Sequence, residues 1–207
     1  MKKLMEEALK EAQKAAALGE VPIGAVIVRG GEIVGRGHNM TETAKDPTAH
    51  AEIEAIRQAA KNLGGWRLLD SVLYVTLEPC PMCAGAILHA RLDQIVYGAS
   101  DPKGGAVDSV EQLFTLPYNW TPEVHAGLLQ AECAQVLKDF FRELRLKKQA
   151  EKIVDLGHGT HRGTGIFVGG LLLDGDHGTQ ARDLVDIGTL HRPHELAGIG
   201  RKRLHVA

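Results

Sequence analysis

The stretch Val72-Leu73-Tyr74-Val75-Thr76-Leu77-Glu78-Pro79-Cys80-Pro81-Met82-Cys83-Ala84-Gly85-Ala86-Ile87-Leu88-His89 joins two periodicities at one ligand motif. Residues 72–77 are β-branched and apolar, end at Glu78-Pro79, and predict a strand. From Met82 to about His89 the residues are nearly all apolar or small, which predicts a helix buried on most sides. Pro79 and Pro81 flank Cys80 at the junction, where a helix entrance tolerates a missing N–H. Cys80 and Cys83, three apart at a helix start, then place both sulfurs on one face of a single turn. The positive end of the helix dipole favours thiolate over thiol there.

Upstream lies a partner, His50-Ala51-Glu52. Asp46-Pro47-Thr48 reads as a helix start with Thr48 as the candidate N-cap, and Ile53, Ala55, Ile56 and Ala59 continue that helix into the core. His50 and Glu52 fall in its first turn. Zinc takes soft anionic sulfur and neutral imidazole nitrogen, so His50, Cys80 and Cys83 make a Cys2His set. Three protein ligands leave one tetrahedral position open, as in a catalytic site. Glu52, two residues from His50, can handle protons of a water at that position. Three other readings compete, of which chance co-occurrence in a metal-free protein fits either half of the motif alone but not both together. A thioredoxin-like redox pair fits Cys-x-x-Cys alone, but not Pro81-Met82 between the cysteines and a partner His-x-Glu. A structural zinc site needs a fourth ligand, and the remaining cysteine, Cys133, sits in a helical apolar pattern as a small core residue.

The pattern His-x-Glu followed by Pro-Cys-x-x-Cys is that of the zinc nucleobase deaminases. The sequence resembles the bacterial tRNA-specific adenosine deaminases within them. The likeness extends to Val21–Val26, Gly37-His38-Asn39, Ala49–Ile53, Thr76–Ile87 and Gly98-Ala99-Ser100-Asp101-Pro102-Lys103-Gly104-Gly105, and covers roughly residues 2–148. It implies an α/β fold, the three-layer cytidine-deaminase-like sandwich with a mixed sheet of about five strands and flanking helices. It also implies a homodimer, one zinc ion per subunit, a tRNA anticodon loop as partner, and substrate contacts at Asn39, Ala51, Asp101 and Lys103. On local sequence alone Asn39 also reads as a turn residue, and the loop after Ala99 as ordinary turn chemistry.

Composition sets the class. The chain has 207 residues, 44% hydrophobic and 24% charged, with a net charge of −2. That is a soluble globular balance, and any RNA contact must rest on a local patch. Three cysteines, two of them committed to metal, argue for a reducing compartment. No run approaches a bilayer span and the amphipathic start lacks a signal-peptide core, so a cytoplasmic protein without a membrane partner is expected.

Before the quoted stretch, Met5, Ala8, Leu9, Ala12, Ala15 and Ala16 recur at helical spacing up to Gly19. Ile23–Val28, the turn Arg29-Gly30-Gly31-Glu32 and Ile33–Gly37 predict a β-hairpin. Gly64-Gly65 breaks the helix that starts near His50. Glu78 reads either as a catalytic acid or as a strand-end carboxylate accepting backbone N–H bonds. After it come a strand at Ile95–Ala99, a loop through Asp101 and Lys103, and a short strand at 123–126. A closing helix is predicted from Leu128 to about Lys148. Arg145, Lys147 and Lys148 make its end basic, as a solvated face or as phosphate contacts. The deaminase unit is therefore expected over residues 1–150. Residues 151–207, rich in glycine and histidine and without a sustained period, read as a poorly ordered extension.

The expected reaction is hydrolytic deamination of adenosine to inosine at the tRNA wobble position, with Glu52 moving the protons. The rival substrates are free guanine or cytosine, and the rival class is an inactive zinc-stabilised partner subunit.

Overall fold

The computed structural model describes the backbone of residues 1–158 and the side chains of residues 1–152. The elements are α1 (Lys2–Ala17), β1 (Gly24–Arg29), β2 (Glu32–His38), α2 (Thr41–Ala44), α3 (Ala51–Leu63), β3 (Ser71–Leu77), α4 (Pro81–Ala90), β4 (Gln94–Ala99), β5 (Glu123–His125) and α5 (Gln130–His158). A 3-10 turn at Leu113–Thr115 interrupts the segment between β4 and β5.

The five strands order as β2-β1-β3-β4-β5. β1 pairs antiparallel with both β2 and β3, while β3, β4 and β5 run parallel. Side-chain alternation divides β1, β3 and β4 between two cores. On one face Ala25, Ile27, Leu73, Val75, Ile95 and Tyr97 pack with Ala51, Ala55 and Ala59 of α3 and Ile87 of α4. On the other, Val26, Val28, Tyr74 and Val96 pack with Met5 and Ala8 of α1 and with Cys133 of α5. Helices on both faces of a mixed sheet make the expected three-layer α/β sandwich.

Close approach is what the glycines permit. A Cβ on Gly37 would collide with the Ala51 carbonyl of α3, and one on Gly24 with the Ala8 carbonyl of α1. The first helix also departs from its simple apolar stripe. Glu11 is buried there because Arg36, His38 and Lys14 reach its carboxylate.

The closing helix runs past Lys148 to His158, so residues 151–158 continue α5. The expectation for the rest of the extension, from residue 159 onward, falls outside the described residues. Among the described residues no helix is long and apolar enough to cross a membrane.

Candidate active site

Sheet direction brings the site together. The carboxyl ends of parallel β3 and β4 share one edge, where open α/β sheets gather ligands. β3 leads there into Glu78-Pro79-Cys80, and β4 into Ser100-Asp101. Antiparallel β1 starts at the same edge and β2 ends there, since Gly24 pairs with His38 and Ala25 with Val75. Asn39 follows β2, its N–H donating to the Ile23 carbonyl at 3.1 Å, and Met40 N–H donates to the Ala49 carbonyl at 2.9 Å. That last bond ties the end of β2 to the residue before His50.

Both metal-motif helices enter the site by their N-caps. Cys80 is the N-cap of α4, with Pro81 in the first turn. His50, not Thr48, is the N-cap of α3. The predicted cap fails for a local reason: the Thr48 N–H and hydroxyl both donate to Asp46 Oδ1, at 2.8 and 2.7 Å, in a turn that ends before the helix. His50 and Cys80 make no side-chain capping bond, which leaves the ring and the thiol free to face each other.

His50 Nδ1 lies 3.7 Å from Cys80 Sγ and 3.6 Å from Cys83 Sγ. Their three ligand atoms lie within 4.8 Å of one another and could hold a metal ion. Tetrahedral zinc, with bonds of about 2.3 Å to sulfur and about 2.0 Å to nitrogen, requires a nitrogen–sulfur separation of about 3.5 Å. The donor set fits. The Cys83 thiol donates to the Cys80 sulfur and, against the effect of burial, holds Cys80 down to about 4. Cys83 keeps the proton and shifts upward. His50 is raised by its bond to Cys80.

Glu52 is 4% exposed and stands on the first turn of α3. Burial pushes its carboxyl up to about 7, far above the ordinary carboxylate range. Such a group exchanges protons near neutral pH. Glu78, 2% exposed, behaves in the opposite way. Burial alone would raise it, but hydrogen bonds from Ser109, Asp108 and Asp101 outweigh that and hold it at about 2. It is an acceptor of backbone N–H bonds rather than an acid.

Of the predicted substrate residues, Ala51 is buried where α3 meets β2, and Asn39 is 6% exposed with its Oδ1 unpartnered among the described residues. Asp101 and Lys103 line a cleft of about 960 Å3 that Arg145 also reaches. Lys138 and Phe141 join them; the sequence reading passed over Lys138 and put Phe141 on the apolar face of the closing helix, whereas it is exposed. Positions 138, 141 and 145 share a helical face, so the spacing alone could have found them. Lys147 lines a different groove, beside Ala16 and Gly19 of the N-terminal helix region. Lys148 is exposed and lines neither.

The family model of the MafB19-like deaminases matches residues 1–145. The tRNA-specific adenosine deaminase of Bacillus subtilis is 52% identical over 149 residues, covering 72% of this chain and 92% of that protein. The Haemophilus influenzae tRNA-specific adenosine deaminase is 53% identical over 152 residues, covering 72% and 88%. A chain solved in a study of A-to-I editing by tRNA:A34 deaminases at the wobble position superposes with a TM-score of 0.65 at 49% identity, covering 66% of this chain and all of that one. With this sandwich, its cluster of His50, Cys80 and Cys83 and these relatives, the chain belongs to the MafB19-like deaminases and groups there with the tRNA-specific adenosine deaminases.

Proposed function

We propose that this protein hydrolytically deaminates adenosine to inosine at the wobble position of a tRNA anticodon. The observation that carries the reading is the convergence of His50, Cys80 and Cys83 beside the buried carboxyl of Glu52. One zinc ion per subunit fits these ligands and, when bound, supplies the Lewis acidity that brings water ionisation near neutral pH. The protein's own chemistry belongs to Glu52. Its carboxylate takes a proton from the water whose oxygen adds to C6 and gives it to the adenine ring nitrogen N1. It then takes the proton of the new C6 hydroxyl and hands it to the amino group, so that the C6–N bond breaks, ammonia leaves and the C6 carbonyl of inosine remains. A value near 7 suits both directions of that transfer.

Asn39 offers a buried, unpartnered oxygen to a donor on the nucleoside, and Ala51, between His50 and Glu52, is the second contact on that side. Asp101 and Lys103 reach the substrate from the loop after β4. Lys103, Lys138 and Arg145 hold phosphates along the cleft while Phe141 offers a ring on which a splayed base can stack. Lys147, on the other groove, and Lys148 stand outside the cleft and leave its phosphate contacts to Lys103, Lys138 and Arg145.

The α4 helix supports a homodimer. Although nearly all its residues are apolar or small, Pro81, Met82 and His89 are exposed and Gly85, Ala86 and Leu88 are only partly covered. A second copy would cover that face. We read residues 1–150 as the catalytic unit, a reading supported by the family match over residues 1–145, and a tRNA substrate supports a cytoplasmic protein.

An anticodon stem-loop with adenosine at the wobble position, free guanine and free cytosine are offered in parallel. Inosine from the stem-loop is the expected product. Xanthine or uracil without inosine would replace the tRNA reading by a free-base one.

A further inference from the structure

Glu78, the second buried carboxylate at this edge of the sheet, is devoted to a single loop. Its Oε1 accepts hydrogen bonds from the N–H groups of Val107 at 3.2 Å, Asp108 at 2.8 Å and Ser109 at 2.9 Å. Its Oε2 accepts from the N–H of Asp101 at 2.9 Å and from the Ser109 hydroxyl. Donors from both ends of the loop therefore meet on one side chain. The Ala106 N–H adds a bond to the Pro79 carbonyl at 2.9 Å, and a Cβ on Gly105 would run into the Glu78 carboxylate.

A carboxylate has about four acceptor sites, and here they are saturated by donors that cannot leave without unfolding the loop. Proton transfer and metal binding are closed to it. What remains is position. Glu78 is two residues from Cys80, on the segment that links β3 to α4, so the loop is fastened to the same short piece of backbone that carries a metal ligand.

We propose that Glu78 is a positioning residue that holds Asp101, Pro102 and Lys103 in register with the metal ligands, and so sets the affinity for the polynucleotide substrate. This rests on the reading of loop 101–103 as a substrate contact. Glutamine is the discriminating replacement. It keeps the shape and one acceptor oxygen, but turns an NH2 donor toward the N–H and O–H donors that Glu78 now accepts.

The test uses the zinc-loaded full chain, its Glu78→Gln variant, and the milder Ser109→Ala, which removes one of the donors. Zinc content, steady-state kinetics on an anticodon stem-loop and amide hydrogen exchange are measured for each. In Glu78→Gln we expect full zinc, KM raised about tenfold and kcat within about threefold of wild type. Ser109→Ala should shift KM less, in the same direction. Exchange should quicken across residues 101–109 and stay unchanged in α3. Loss of zinc, a fall in kcat at constant KM, or wild-type values in both variants would overturn the proposal. Should Glu78→Gln not fold, an unchanged KM and unchanged loop exchange in Ser109→Ala overturn it. If the wild-type chain makes no inosine from the stem-loop, the tRNA reading fails instead, and loop exchange alone decides the role of Glu78: unaltered protection contradicts it.

Discussion

Glu52 and Glu78 are both almost fully buried, both two residues from a metal-ligand candidate, and opposite in behaviour. Burial leaves the Glu52 carboxyl at about 7, ready to exchange a proton. Glu78 is held at about 2 because loop N–H groups and a hydroxyl converge on it. Low solvent exposure alone does not fix a carboxylate's role. The number of donors reaching it does: starved of them it becomes an acid–base group, and saturated it becomes a fastener.

The largest effect should come from removing what both carboxylates serve. Cys83→Ala is expected to lose the metal and to reduce turnover to background, read by metal analysis and by inosine formation. Retained stoichiometric zinc would mean that Cys83 is not a ligand. A smaller effect separates the two carboxylates by pH. Glu78 is lowered in the folded chain, from 4.5 to about 2, so the folded form binds fewer protons than the unfolded one. Its contribution, about 3 kcal/mol, is complete above roughly pH 5, declines as pH falls, and is gone near pH 2. Urea unfolding of wild type should show this acid loss, and Glu78→Gln should flatten it. Equal acid limbs in the two proteins would break the contrast.

Next in size is the frame beneath Glu52. Gly37→Ala forces a methyl group against the Ala51 carbonyl and should destabilise the fold by about 1–3 kcal/mol, measured by the shift in urea midpoint. An unchanged midpoint would show that α3 can move away freely. The smallest effect is electrostatic. Lys138→Ala and Arg145→Ala should each reduce the slope of log affinity for the stem-loop against log salt by about 0.7, whereas Lys147→Ala, on the other groove, should leave it nearly as it was. A slope that changes equally in all three would dissolve the cleft as a distinct RNA surface.

Local rules made much of this legible. The hairpin, the strand into Glu78 and the Cys-x-x-Cys helix are specified within a few residues of themselves, and the structure has them. Where the reading fell short, a partner distant in sequence or a short polar turn decided the matter. Thr48 looks like a cap until Asp46 claims it. Glu11 breaks an apolar stripe because Arg36 and His38, on a strand, satisfy it. The short helix at Thr41–Ala44 has no apolar period and is instead held by Glu20, whose carboxylate accepts the N–H groups of Glu42 and Thr43. Glu78 could be read as an N–H acceptor from its place at a strand end, but which N–H groups it gathers depends on how the loop after β4 returns. Arg145 and Lys147 look equivalent in a basic run, and only the helix turn sends them to different grooves.

The central claim is that Glu52 moves protons and holds no metal. Glu52→Gln, which keeps the shape and removes the ionisable group, puts it to the most direct trial. Zinc per chain and single-turnover inosine formation on an anticodon stem-loop are measured on the same preparation. One zinc per chain is expected, as in wild type, with the rate reduced by about 10²- to 10⁴-fold. Zinc lost together with activity would make the carboxylate a ligand, and a wild-type rate with full zinc would remove it from the chemistry.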